Sequence, residues 1–176
     1  MLVRDSDGKT LFESGALNAD GSIQGNDNDA DPSRFEPHYR EITSGDQVQI
    51  YEPILKDQAG HVTTGLAAAT GYLKDNRLLP SGFEKQTANP DIAVIGDAAD
   101  DPGFTDAGDL IRYSVSVPDR PSPVHVEIEL WYQPIGFRWA HNLSPYSTAE
   151  TRRFVSYYES MPSSSAIVLA RAAADR

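Results

Sequence analysis

Short apolar stretches that alternate with polar residues, each cut off by Gly, Pro, Asp or Asn, constrain the fold of this chain more than any other feature. In residues 124–132, Val124, Val126, Ile128 and Leu130 fall on one side and His125, Glu127 and Glu129 on the other. That period of two is a strand with one dry and one wet face. Residues 110–117 repeat it, with Ile111, Tyr113, Val115 and Val117 against Arg112, Ser114 and Ser116. The Pro-rich segment 118–123 between them predicts a stiff turn and an antiparallel pair. Residues 47–55 carry Val48 and Ile50 on one face and read as another strand. Residues 9–15, between the turn signals Asp7-Gly8 and Asp20-Gly21, read as a hairpin arm. A short strand is expected at 91–96 and a closing one at 165–172, where the alanines also allow a helix. Residues 62–73 fit either a strand or a helical turn.

One segment has helical periodicity. Ser147 and Glu150 stand at capping-box spacing, and Phe154, Tyr157, Tyr158 and Met161 follow at i, i+3, i+4 and i+7 before Pro162 ends the run. The expectation is an all-β domain, an antiparallel two-sheet β-sandwich with one late amphipathic helix. Its 176 residues suit one domain. Residues 1–4 read as the end of a strand entering a turn, so residues 1–176 are expected to be a piece of a longer protein.

Twenty-six acidic against fifteen basic residues give a formal charge of -11, which opposes nucleic acid and anionic membrane as partners and suits a cation or a basic protein. The absence of cysteine removes disulfides, thiolate metal sites and thiol nucleophiles. No apolar run approaches the roughly 20 residues of a membrane-spanning helix.

Asn26-Asp-Asn-Asp-Ala-Asp31, with Glu36 behind it, alternates oxygen-bearing side chains like the first half of a calcium loop, although Gly at the sixth position and Glu at the twelfth are missing. Two readings stand: a solvated polar loop, or a calcium site using Asp27, Asp29, Asp31 and Glu36. Asp97, Asp100, Asp101, Asp106 and Asp109 form a second acidic stretch. The histidines, His38, His61, His125 and His141, lack helical metal-pair spacing. His38 and His141 sit among aromatics, where structural hydrogen bonding is the default. No G-x-S-x-G elbow, Walker loop or G-x-G-x-x-G is present. In 74–77, an Asp75-Asn76 turn is expected to let Arg77 fork onto a carboxylate or loop carbonyls as a buried clamp.

Several blocks resemble, in order and spacing, the C-terminal haem-free β-rich region of multihaem c-type cytochromes. They are Phe12-Glu-Ser-Gly15, Glu36-Pro-His-Tyr39, Val48-Gln-Ile-Tyr-Glu52, Tyr72-Leu-Lys-Asp-Asn-Arg-Leu-Leu-Pro-Ser-Gly-Phe83, Asp91-Ile-Ala-Val94 and Tyr132-Gln-Pro-Ile135. The resemblance spans roughly residues 3–158. It implies a non-catalytic accessory domain of an exported, periplasmic or extracellular electron-transfer protein, packing against or docking the haem-bearing segment and meeting a basic redox partner. Without cysteine this chain attaches no haem itself. His38 matches a family motif position, so the resemblance makes it the candidate cofactor-contacting residue. A free-standing carbohydrate- or ligand-binding β module is the alternative, which exposed Trp131, Trp139 or Tyr side chains in a groove would favour. A hydrolase using an acidic pair is the third.

Overall fold

The computed structural model describes residues 1–117 and 123–176. The expected stiff turn at 118–123 lies almost wholly outside the described residues. Secondary structure is mostly strand in antiparallel sheets, with few helices. A four-stranded sheet has the order β2-β1-β8-β9, built from β1 (Leu2–Asp5), β2 (Thr10–Glu13), β8 (Val124–Tyr132) and β9 (Ile167–Asp175). A three-stranded sheet joins β5 (Val62–Thr63), β4 (Pro53–Lys56) and β6 (Gly71–Asp75), in that order. A parallel pair links β3 (Glu41–Ile42) to β7 (Arg112–Tyr113). Three α-helices lie among the described residues: α1 (Asp27–Ala30), α2 (Phe137–His141) and α3 (Ala149–Ser160).

The expected hairpin at 9–15 forms as β1–β2. Gly15 closes it at φ +75°, and a Cβ there would lie 2.6 Å from Val48 Cγ2, so only glycine lets the hairpin seat on the 47–51 segment. The ambiguous 62–73 stretch resolves into β5, a turn and the start of β6.

Three expected strands come out differently. Residues 110–117 do not pair with β8: both edges of β8 are taken, by β1 and by β9, and β7 lies instead beside β3. Residues 47–52 join no ladder, because the Asn76 side chain takes the place of a neighbouring strand. It donates to Ile50 O at 2.9 Å and accepts from Glu52 N at 3.0 Å. At 91–96, Asn89 caps a 3-10 turn (Pro90–Ile92), and only Ile95 bridges to Asp75.

The helix α3 is capped by Thr148, one residue later than expected, with its hydroxyl accepting from Thr151 N. None of its residues is fully buried. Phe154, Val155 and Tyr158 are half-buried, while Tyr157 and Met161 of the expected apolar face are exposed. The helix therefore lies on the surface, with its inward face rotated from Tyr157 toward Val155.

Many of the buried residues come from β4, β6 and the loops that follow: Ile54, Lys74, Asp75, Asn76, Ala98, Asp101 and Phe104. Of the largest side chains that are almost completely buried, Phe104 and Ile42 are apolar, but Lys74, Glu36 and Asn76 are polar. Such a core is stable only if each polar group finds a partner.

Candidate functional site

The buried polar groups converge on His38. Its ring sits edge-on to Phe104, centroids 5.0 Å apart, and Phe104 stacks on Tyr51 at an interplanar angle of 12°. Three segments present side chains to the imidazole: 47–52 supplies Gln49 and Tyr51, the end of β6 supplies Asn76, and residues 97–109 supply Asp101 and Asp109. The side chains of His38, Asp101 and Asp109 are 0%, 4% and 2% exposed, so the centre is sealed from solvent.

Local chemistry fixes each part. Asp101 Oδ1 accepts from Gly103 N at 2.7 Å, which folds the loop back on itself. Asp109 Oδ2 accepts from the Tyr51 hydroxyl at 2.8 Å and from Gln49 Nε2 at 3.3 Å. Lys85 donates to the carbonyls of Ala98 and Asp101, holding the same loop from its other side. Below the centre, Lys74 donates to Ile50 O at 2.9 Å and pairs with Glu52 at 3.2 Å. Burial lowers the Lys74 pKa and raises that of Glu52, and their mutual attraction opposes both shifts.

His38 Nε2, Asp101 Oδ2 and Asp109 Oδ1 have no hydrogen-bond partner, and the ligand atoms of the three residues lie within 4.8 Å of one another. One imidazole and two carboxylates would suit a borderline divalent cation. The ring's other nitrogen argues against that use. Gln49 Nε2 lies 2.7 Å and Asn76 Nδ2 3.1 Å from His38 Nδ1. Neither amide can be turned round without loss: Gln49 Oε1 accepts from Tyr39 N at 2.8 Å, and Asn76 Oδ1 from Glu52 N. Both therefore present N–H to Nδ1, which must accept, and the ring hydrogen resides on Nε2. A metal ligated there needs a lone pair that this tautomer does not offer. What the centre presents is one donor, Nε2–H, facing two carboxylate oxygens 3.3 and 3.7 Å away. Burial lowers the His38 pKa, against the pull of Asp109 and Asp101, and so favours the neutral ring.

In the acidic 26–36 loop, each of the four candidate carboxylates meets a protein donor. Asp27 pairs with Arg34. Asp29 Oδ2 accepts from Ile23 N at 2.8 Å, Asp31 Oδ1 from Ser33, and Glu36 from Asp27 N and the Tyr39 hydroxyl. Arg138 donates from the opposite side to the carbonyls of Asn28 and Asp29. Among the described residues, His38, Asp101 and Asp109 form the convergent group of metal-ligating type, and these four carboxylates do not. Burial pushes the Asp29 pKa up to about 6.

The remaining candidates scatter. His61 is exposed beside Asp57, and His141 stacks on Phe137 at 5.1 Å. His125 donates to Asp175, whose hydrogen bond raises its pKa. Arg77 does fork onto Asp75, at 2.9 and 2.6 Å, yet its side chain is 58% exposed, so the buried members of that segment are Lys74 and Asn76 instead. Trp131 and Tyr132 are exposed and Trp139 is half-buried. The sequence pointed to His38 and to the acidic stretch containing Asp101 and Asp109 separately. Gln49, Tyr51 and Asn76 were visible only as strand and turn residues.

Comparison with family models, curated proteins and solved structures finds no match.

Proposed function

We propose that this chain is a non-catalytic accessory domain of a multihaem cytochrome-like, exported electron-transfer protein, where it packs against the haem-bearing segment. Its two larger antiparallel sheets are read as the layers of a β-sandwich. The observation that carries the proposal is the β8–β9 ribbon. Eight of the nine β9 residues are exposed, and the ribbon presents Ile128, Trp131, Tyr132, Ile167 and Leu169 to solvent, each between 42% and 57% exposed. Apolar side chains gathered on one exposed ribbon mark a surface that another body covers.

Two further facts support the reading. The polar centre is sealed, which suits a scaffold rather than an active site. Three of the resemblance blocks, 36–39, 48–52 and 72–83, supply His38, Gln49, Tyr51 and Asn76, which interlock in that centre. The shared pattern is then a pattern of packing. The test is sedimentation of the chain with the C-x-x-C-H-bearing segment encoded beside it, with haem absorbance as the tracer. Co-sedimentation that Leu169→Ser weakens by about tenfold or more, with an unchanged melting temperature, is expected. No complex, or no such segment in the gene, would contradict it.

A carbohydrate-binding module is the second reading. It rests on a groove of about 480 Å³ in which Trp131 lies beside Glu13, Glu127 and Glu129. Retention on oligosaccharide columns that Trp131→Ala abolishes would favour it.

A further inference from the structure

Besides its docking surface, the chain carries a titratable device that the proposed function does not use. We propose that the His38–Asp101–Asp109 centre is an acid-sensitive clamp: it holds residues 97–109 against the strand scaffold while His38 is a neutral Nε2–H donor, and it opens when the ring takes a second proton.

The argument is one of hydrogen-bond inventory. A neutral Nε2–H imidazole has two amide N–H groups aimed at its Nδ1 lone pair and keeps its one hydrogen on the side of the two carboxylates, 3.3 and 3.7 Å from Nε2. An imidazolium does not. Its new hydrogen on Nδ1 would point at the amide hydrogens of Gln49 and Asn76, and those amides are tied to Tyr39, Glu52 and Ile50. A proton therefore binds more readily to an open form in which His38 has left this cage, and mass action raises that form as pH falls.

Other charges bear on the ring. Asp101 and Asp109 attract the second proton, while Lys74 repels it. Arg40 Nε, 3.5 Å from Asp101 Oδ2, and Lys85, bound to the Asp101 carbonyl, draw on the same loop. The Tyr51 hydroxyl, whose pKa is raised by burial and by Asp109, stays a donor throughout. The attraction of the two carboxylates is the opposing force, and the two amides with burial outweigh it.

The segment released is defined by its anchors. Residues 97–109 are fastened by Asp101 and Asp109 at the centre, by Phe104 packed between His38, Tyr51 and Lys85, and by Lys85 on two carbonyls. Loss of the His38 cage takes the imidazole from Asp101 and Asp109 and the edge-on ring from Phe104, while Tyr51 and Gln49 still hold Asp109. The loop therefore opens hinged at Asp109, and the four-stranded sheet, which supplies none of the ring's polar or aromatic partners described above, stays closed.

The test combines two measurements on the wild-type chain. A long-range ¹⁵N–¹H correlation spectrum assigns the ring tautomer and follows it from pH 7.5 to 5. Amide hydrogen exchange, corrected for intrinsic rate, reports opening of residues 97–109. The expected result is the Nε2–H tautomer at pH 7, with the open fraction of this loop rising by up to about tenfold per pH unit below about pH 6.5. The slope should vanish in His38→Gln, which keeps a side-chain donor and cannot titrate. An Nδ1–H tautomer would overturn the proposal, as would opening that ignores pH in wild type. So would a shift of the Nε2 resonance on adding Zn²⁺ or Mn²⁺, which would make the centre a metal site.

Discussion

Gln49 Nε2 lies 2.7 Å from His38 Nδ1, and the same Gln49 is locked by the Tyr39 backbone through its oxygen. This one contact decides the chemistry of the centre, because it fixes which ring nitrogen carries hydrogen. Two amides give His38 a role that burial alone would leave open.

Asn76 bears the heaviest structural duty in that cage, with three partners and no exposure. Asn76→Ala strands the Glu52 N–H, an unpaired buried group costing about 1–3 kcal/mol, and leaves the Ile50 carbonyl to Lys74 alone. A denaturation midpoint lowered by the equivalent of about 2 kcal/mol or more is expected. A loss below about 0.5 kcal/mol would remove the strand-substituting role assigned to Asn76.

Phe104 and Phe154 separate core from surface. Phe104 is fully buried, so Phe104→Ala should cost about 3–5 kcal/mol. Phe154 is only half-buried on α3, and Phe154→Ala should cost about half as much. Urea denaturation of both variants checks the order, and equal losses would place α3 in the core.

Asp29 gives a pH dependence of opposite sign to that of His38. Its folded pKa of about 6 exceeds the ordinary 3.8 of an aspartate, so the folded state binds the extra proton. The stability it contributes is present below about pH 4 and is lost as pH rises through about 6. Asp29→Asn retains an acceptor for Ile23 N and removes the buried charge. It should be more stable than wild type at pH 7 by about 1 kcal/mol, after allowing for partial solvent screening. Melting both proteins at pH 4.5 and 7 tests this, the difference appearing only at the higher pH. In the same experiment calcium should leave the melting temperature unchanged, since the loop's carboxylates are already engaged by protein donors.

His38 works the other way. Its folded pKa lies below the ordinary 6.5, so the unfolded chain binds more protons below that pH. Stability associated with His38 is complete above about pH 6.5 and falls as the solution is acidified. His38→Gln should be less stable than wild type at pH 7.5, and the gap should narrow toward pH 5.

Period-two patterning identified β8, because a long strand with one dry face writes its burial into every second residue. It could not say what β8 pairs with. Residues 110–117 have the same alternation, but β1 and β9 had already filled both edges of β8. Alternation at 47–52 misled for another reason: Gln49 and Tyr51, on the face read as polar, turn into the centre, where Asp109 and His38 receive them. The centre itself draws on residues up to 71 positions apart, from His38 to Asp109, and no local pattern encodes that meeting. His38 was marked by its company, Glu36-Pro before it and Tyr39 after it, and by its place in a resemblance block. Arg77 was the natural choice for a buried clamp on charge grounds, yet the shorter Asn76 buries with less desolvation and satisfies more backbone.

The most direct test of the accessory-domain reading is a hydrogen-exchange footprint of this chain joined to its haem-bearing segment, against the chain alone. Protection concentrated on residues 126–132 and 167–173, with the 26–36 loop unchanged, is the predicted result. An unchanged ribbon, or protection confined to another face, would contradict the assignment of β8–β9 as the covered surface.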